Sequence, residues 1–114
     1  MKIARFDEID SVTMMARVDS DTAGVLEKSL TSLLEAGSKK IVCDFSATTY
    51  ISSAGLRVLL SVTKSLVRSE GRIVLCSLRP NVNEIFTIAG FNQIIPIVPT
   101  REAAIRHLSG NSVR

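Results

Sequence analysis

The 114-residue chain has room for one domain built around one hydrophobic core. Hydrophobic residues make up 46% and charged residues 22%, which is ordinary for a globular domain, and no apolar run approaches the roughly 20 residues of a membrane span. The N-terminal segment MKIARFDEID carries charges throughout and lacks the apolar core of a signal peptide. We therefore expect a cytoplasmic protein that does not associate with a membrane.

The charge pattern argues against a nucleic-acid-binding protein. The net charge of +3 is a mild excess, and the Lys and Arg residues are spread along the chain. Aromatic residues are only 4%, too few for a platform on which bases stack.

The first predicted elements are a β-hairpin and a helix. Residues 12–18, VTMMARV, alternate in polarity and predict a strand, with residues 2–6 as its partner across a turn at 7–11. Ser20 or Asp21 can cap a helix that runs to about Ala36 and is ended by Gly37. The inward stripe predicted for this helix is Leu26, Leu30, Leu33 and Leu34.

Strands and helices then alternate. KKIVCDF and RIVLCSL are continuous apolar runs, typical of strands buried on both faces, and the helix AGLRVLLSVTKSLVR separates them. Pro80 opens a helix that Gly90 stops, IIPIV suits an edge strand, and REAAIRHL forms the last helix. We expect a frayed tail at 109–114.

The predicted order is therefore ββαβαβαβα, within a single domain spanning 1–114. Alternation of strands and helices after a hairpin indicates an α/β fold with one mixed, largely parallel sheet covered by helices.

Metal and cofactor sites are not indicated. Cys43 and Cys76 lie inside the apolar runs, where two reduced core thiols are favoured over a disulfide or a metal pair. His107 is the only histidine, and its place beside the tail favours a surface residue.

The stretch TTYISSAGLRVLL, from Thr48 to Leu60, contains the candidate chemistry. Its serines do not form G-x-S-x-G, and the Gly-rich phosphate loops are missing, so we expect no enzyme. Ser52 or Ser53 can cap the following helix. Gly55, at the third helical position, costs roughly 0.5–1 kcal/mol relative to alanine, which makes sense if another backbone or a ligand approaches closely.

A helix start is also a favourable place for a phosphate. Its unpaired N–H groups and partial positive charge stabilise an anion. A serine there can be phosphorylated without unfolding the chain, and the modification adds about −1.5 to −2 charges to an exposed turn. The expected effect is a switch in a docking surface.

These residues resemble a known family. IVCDFSATTYISSAGLRVLL resembles the core of the STAS domain, specifically of the small bacterial anti-sigma factor antagonists, and VDSDTAGVLEKSL and GRIVLCSLRPNVNEIFTIAGFNQIIPIV are similar to their first helix and later elements. In that register the family aspartate falls on Ser52 and the phosphoacceptor on Ser53. Ala54 and Gly55 follow, and Asp19 takes the place of the aspartate that opens the first helix near the phosphoacceptor.

The resemblance also implies partners. In that family the acceptor serine is phosphorylated by a partner that is both an anti-sigma factor and a serine kinase with a Bergerat-type ATP site. A metal-dependent serine/threonine phosphatase of the PP2C type removes the phosphate. The unphosphorylated form binds the kinase and frees the sigma factor, so phosphorylation of Ser53 is expected to release the partner.

Two positions depart from the family pattern: Ser52 replaces an acid, and Arg57 stands where glycine is frequent. Arg57, Ser61, Lys64 and Arg68 share one helix face, either a solvated surface or a basic rim that meets an acidic partner. The face predicted to lie inward is Leu56, Leu60, Thr63 and Val67. An unphosphorylated scaffold or ligand-sensing STAS domain in a larger signalling complex is the alternative function, and an acyl-transfer enzyme would need a base that the chain does not offer.

Overall fold

The computed structural model describes residues 1–110 and has the predicted mixed α/β architecture. The strands are β1 Lys2–Phe6, β2 Ile9–Thr13, β3 Arg17–Val18, β4 Lys40–Asp44, β5 Tyr50–Ile51, β6 Arg72–Cys76 and β7 Ile97–Val98. The helices are α1 Ala23–Glu35, α2 Ser53–Arg68, α3 Pro80–Ile88 and α4 Arg101–Gly110, with a 3₁₀ turn at Phe91–Gln93. The main sheet has the order β1-β2-β4-β6-β7, and β3 pairs with β5 in a separate two-stranded sheet.

The N-terminal hairpin forms, but its boundaries differ from the predicted ones. β1 and β2 are antiparallel and are joined by Asp7 and Glu8, with Asp7 in the left-handed region at φ 56°. The second strand covers residues 9–13 instead of 12–18 because β2 also pairs in parallel with β4 over Asp10–Thr13. After that the chain leaves the sheet, and residues 17 and 18 pair with β5 instead.

The two apolar runs form adjacent, parallel central strands, as predicted. β4 and β6 pair from Lys40 with Arg72 to Asp44 with Cys76. Cys43 and Cys76 are free and fully buried. Cys43 belongs to the core beneath α1 and α2, whereas Cys76 belongs to the core beneath α4. The two thiols therefore lie on opposite faces of the sheet, and no disulfide can join them.

Helices α1, α2 and α3 cover one face of the sheet and α4 covers the other. The face of α2 predicted to lie inward needs correction, since Val67 is 62% exposed and Leu56 and Leu60 are only half-buried. The buried residues of α2 are Gly55, Val58, Leu59, Val62, Thr63 and Leu66. Helix α2 has one row of apolar residues that contains Leu56 and Leu60 and another that contains Val58 and Leu59. The periodicity of the sequence alone could not show which of the two rows would pack against the sheet.

The C-terminal elements follow the predicted order. Gly90 follows the end of α3 and adopts a left-handed backbone conformation with φ 80°. Strand β7 lies at the edge of the sheet, beside β6. Helix α4 continues through Ser109 and Gly110, which were predicted to be frayed, so it extends two residues beyond the buried Leu108. The rest of the predicted tail, 111–114, lies outside the described residues. Within residues 1–110, no helix is both long and apolar enough to cross a bilayer.

Candidate functional site

The short parallel pair β3–β5 positions the site. Arg17 pairs with Tyr50 and Val18 with Ile51, and the N–H of Ser52 then donates to the carbonyl of Val18 over 2.8 Å. The chain consequently leaves both strands side by side, with Asp19 following one and Ser52 the other. Helices α1 and α2 both begin a few residues later, so two helix N-termini lie at the same end of this pair.

The N-cap residue of α1 is Thr22, rather than Ser20 or Asp21, and its side chain makes no capping hydrogen bond to the helix. Hydrogen bonds between Asp19 and Thr22 hold the turn that precedes the helix instead. The Oδ1 atom of Asp19 accepts from the N–H groups of Asp21 at 3.0 Å and Thr22 at 3.2 Å. In return, Thr22 Oγ1 accepts from the N–H of Asp19 at 2.9 Å and donates to the carbonyl of Arg17 at 2.8 Å. This reciprocal arrangement resembles a capping box, and it leaves the side chains of Ser20 and Asp21 exposed.

The Asp19 carboxylate is stabilised in its charged form. Partial burial acts to raise the pKa of Asp19, but hydrogen bonds from Arg17 and from the backbone of Asp21 and Thr22 outweigh it, so the pKa lies below its ordinary value. Arg17 adds a favourable charge, with its Nε 3.3 Å from Asp19 Oδ2. Asp19 is therefore ionised at neutral pH and holds the start of α1.

Ser52 caps α2, and Ser53 is the first helical residue. Ser52 Oγ accepts from the N–H of Gly55 at 3.5 Å, a long hydrogen bond, and the Ser52 carbonyl accepts from Leu56 at 3.0 Å. Ser53 is exposed and makes no side-chain hydrogen bond within residues 1–110. The N–H groups of Ser53 and Ala54 belong to the first turn, where no intrahelical acceptor exists. The turn thus presents a hydroxyl beside free donors.

Gly55 has a packing reason. A Cβ at this position would lie 2.5 Å from Val18 Cγ1, 3.1 Å from Ile51 Cγ1 and 3.3 Å from the carbonyl oxygen of Val18. The close approach anticipated from the sequence is therefore made by β3 and β5. The glycine lets α2 sit directly against the strand pair that carries Asp19 and Ser52.

A groove of about 560 Å³ runs between α1 and α2 from the helix starts. Its lining residues are Ala23, Glu27, Ala54, Arg57, Val58, Leu60, Ser61 and Lys64. Four of the predicted partner-binding residues thus line one groove, while Arg68 lies farther along the same exposed face. Arg57 and Lys64 make no ion pair within residues 1–110, although Glu27 of α1 lines the same groove.

Arg17 and Tyr50 were not identified from the sequence. The guanidinium carbon of Arg17 lies 4.5 Å from the centroid of the Tyr50 ring, in a cation–π contact, and both side chains are exposed. The two-residue strands that pair them are too short to produce a periodic signal. The pattern Asp-x-x-Thr at 19–22 was a detectable cap signal.

Ser53 and His107 do not lie together in the structure. Ser53 lies at the start of α2, while His107 lies on α4, which covers the opposite face of the sheet. Among the described residues, no group of three or more His, Cys, Asp or Glu is placed to hold a metal ion. What the site offers is an exposed hydroxyl, anion-binding N–H groups and a charged groove.

Comparisons with known proteins agree with this architecture. A family model described as "STAS domain" matches residues 4–104. The chain is 43% identical over 101 residues to BtrV of Bordetella bronchiseptica, whose name places it provisionally among anti-sigma factor antagonists, and the match covers 86% of this chain and 87% of BtrV.

Solved structures share the fold at lower identity. An anti-sigma factor antagonist from Mycobacterium paratuberculosis superimposes with a TM-score of 0.88 at 21% identity, covering 95% of this chain and 92% of the other. The Bacillus cell fate determinant SpoIIAA in its phosphorylated form gives a TM-score of 0.74 at 18% identity, covering 99% and 98%. The family model spans most of the chain, and the chain belongs to the STAS domain family.

Proposed function

We propose that the chain is an anti-sigma factor antagonist-like phosphoswitch that acts in the cytoplasm. The unphosphorylated form binds a partner that is both an anti-sigma factor and a serine kinase with a Bergerat-type ATP site. Phosphorylation of Ser53 releases that partner, and a PP2C-type phosphatase restores the binding form. The relationship to BtrV supports the antagonist assignment, and the SpoIIAA structures in unphosphorylated and phosphorylated forms supply a precedent for a phosphorylated STAS domain.

The observation that carries the proposal is the division of roles between the two serines. Ser52 caps α2, whereas the hydroxyl of Ser53 is exposed and has no structural partner within residues 1–110. A phosphate on Ser53 would meet the free N–H groups and the positive end of α2. Modification at this position therefore adds charge without removing a contact that the fold requires.

The groove between α1 and α2 is the surface whose charge a phosphate on Ser53 would change. Ala54 lines the groove beside Ser53, and the unpaired cations Arg57 and Lys64 lie farther along it. An acidic partner surface would be attracted to these cations. A phosphate at the mouth of the groove repels the same surface, so one modification changes the sign of the local potential.

The proposal is tested by incubating the chain with a Bergerat-type serine kinase from the same organism and ATP, followed by intact-mass measurement. We expect one phosphate on the wild type and on Ser52→Ala, and none on Ser53→Ala. Ser46→Ala, which changes an exposed serine outside the groove, is the matched control and should be modified normally. Treatment with a PP2C-type phosphatase should remove the added mass.

Two outcomes would contradict this function. Phosphate located on Ser52 by tandem mass spectrometry would show that the register is wrong. Stable binding of the kinase without any phosphate transfer would favour the unphosphorylated scaffold instead.

A further inference from the structure

The outer face of the β3–β5 pair carries a cluster of polar side chains next to Ser53. Val18 and Ile51 are buried, so their strand neighbours Arg17 and Tyr50 point to the opposite, exposed side. Asp19 lies on this side as well, since its carboxylate contacts Arg17. Asp19 directly follows β3 and Ser52 directly follows β5, and the N–H of Ser52 binds the Val18 carbonyl, so Asp19 lies next to the residue that precedes Ser53.

The guanidinium of Arg17 is held in place but has N–H donors that are not yet used in hydrogen bonds. Its guanidinium is fixed at two points, by the Tyr50 ring at 4.5 Å and by Asp19 Oδ2 at 3.3 Å from Nε. A guanidinium has five N–H donors, and only Nε donates within residues 1–110. The side chain is 62% exposed, so the terminal nitrogens face solvent. A cation oriented in advance in this way loses little freedom when it binds an anion.

A phosphate on Ser53 creates a need for such a cation. The Ser52 N–H binds the Val18 carbonyl, which places the Ser52–Ser53 turn beside Asp19, an ionised carboxylate. A dianion on Ser53 and the Asp19 carboxylate repel each other, and a positive group close to both offsets that repulsion.

We propose that Arg17 binds the phosphomonoester on Ser53 through its terminal nitrogens while Nε remains on the Asp19 carboxylate. This inference rests on the proposed phosphorylation of Ser53. It assigns Arg17 the role of a phosphate-binding residue contributed by β3, in addition to Arg57 of α2. Among the charged groups that line the groove with Ala54, Glu27 of α1 opposes the negative charge and Lys64 of α2 favours it.

The test uses phosphoserine introduced at position 53 by genetic encoding, so no kinase is required. Phosphorus NMR across a pH series gives the second pKa of the phosphate. A nearby cation favours the dianion, so Arg17→Ala should raise this pKa by about 0.3–0.7. Arg17→Lys, which keeps the charge but not the planar fork, should raise it less.

Arg68→Ala is the matched control, because Arg68 is an exposed arginine at the far end of α2, about 22 Å from Ser53 along the helix. It should leave the phosphate pKa unchanged. Equal pKa values for Arg17→Ala and Arg68→Ala, with both variants folded, would overturn the inference. If Arg17→Ala unfolds, the same comparison is made with Arg17→Lys and Tyr50→Leu, the latter releasing the guanidinium from the ring. Failure of the kinase assay would contradict the proposed function and would leave this titration interpretable.

Discussion

Gly55 of α2 and Val18 of β3 are packed so closely that a single added methyl group would lie 2.5 Å from Val18 Cγ1. Val18 is fully buried and β-branched, and its carbonyl accepts the N–H of Ser52, so it cannot move aside easily. Gly55→Ala should therefore destabilise the protein by about 1–2 kcal/mol, even though alanine favours helix formation. Chemical denaturation measures this difference.

Gly24 supplies the matched control. It lies in the first turn of α1, and a Cβ there would meet no atom within 4 Å. Gly24→Ala should stabilise the protein by up to about 0.5–1 kcal/mol, because only the helix preference changes. If the two substitutions changed stability equally, close packing at position 55 would not explain the glycine.

The two thiols should resist alkylation in the native protein. Burial raises the pKa of Cys43 to about 12 and that of Cys76 to about 11, so very little reactive thiolate exists at neutral pH. We expect no mass increase after native incubation with iodoacetamide at pH 8, and two added groups in guanidinium chloride. Rapid native modification of either cysteine would show that its strand opens locally.

The stability of the α1 start should depend on acid pH. The pKa of Asp19 is below 3.8 in the folded chain, so its ionised form stabilises the fold above that value, and this contribution is lost as the pH falls through the lower folded pKa. Asp19→Asn keeps an acceptor for the cap but loses the charge. Its thermal midpoint should fall below that of the wild type at pH 7, and the two should converge as the pH falls through the lowered folded pKa of Asp19.

Asp21→Asn is the control for this measurement. Asp21 is exposed, and its side chain accepts no capping hydrogen bond within residues 1–110. Its thermal midpoint should follow that of the wild type across the same pH range. A constant difference between Asp19→Asn and the wild type from pH 7 to pH 2 would mean that charge plays no part in the cap.

The long elements could be predicted from the sequence because each carries a strong local signal. The apolar runs of β4 and β6 predicted buried strands, and the Ser52-to-Gly55 stretch predicted a helix start with an unusual close contact. The face of α2 was less certain, since Leu56 and Leu60 compete with Val58 and Leu59 for the inward position. Only the packing of α2 against the sheet and α1 decides between those rows.

Pairing between distant segments could not be predicted. Arg17 and Tyr50 meet because two-residue strands separated by a helix and a central strand pair in parallel, and no local pattern encodes that register. The cap of α1 was placed on the wrong residue for a related reason. Ser20, Asp21 and Thr22 are all good capping types, and the turn that Asp19 holds after β3 places the N-cap at Thr22.

The last prediction is that Arg57 contributes to partner binding and to its loss after phosphorylation of Ser53. Arg57 lies one helical turn after Ser53, is exposed, and makes no ion pair within residues 1–110. In the unmodified protein it is free to contact an acidic partner, and a phosphate on Ser53 can draw it back along the helix. Repulsion by the phosphate and loss of the Arg57 contact are each worth about 1–2 kcal/mol, so together they should weaken binding roughly 10²-fold.

A binding titration of the kinase partner separates these two effects. The four forms are wild type, Ser53→Asp, Arg57→Ala and the double variant, with Arg106→Ala on the opposite face of the sheet as the control for a lost surface charge. Ser53→Asp should weaken binding only partly, because one carboxylate has less charge and fewer acceptor oxygens than a phosphate. Arg57→Ala should cost less affinity in the Ser53→Asp background than in the wild type, since the aspartate already engages part of the arginine there. If Arg57→Ala binds like Arg106→Ala, and the double variant binds like Ser53→Asp alone, the basic face of α2 is a solvated surface and the switch acts through the Ser53 charge alone.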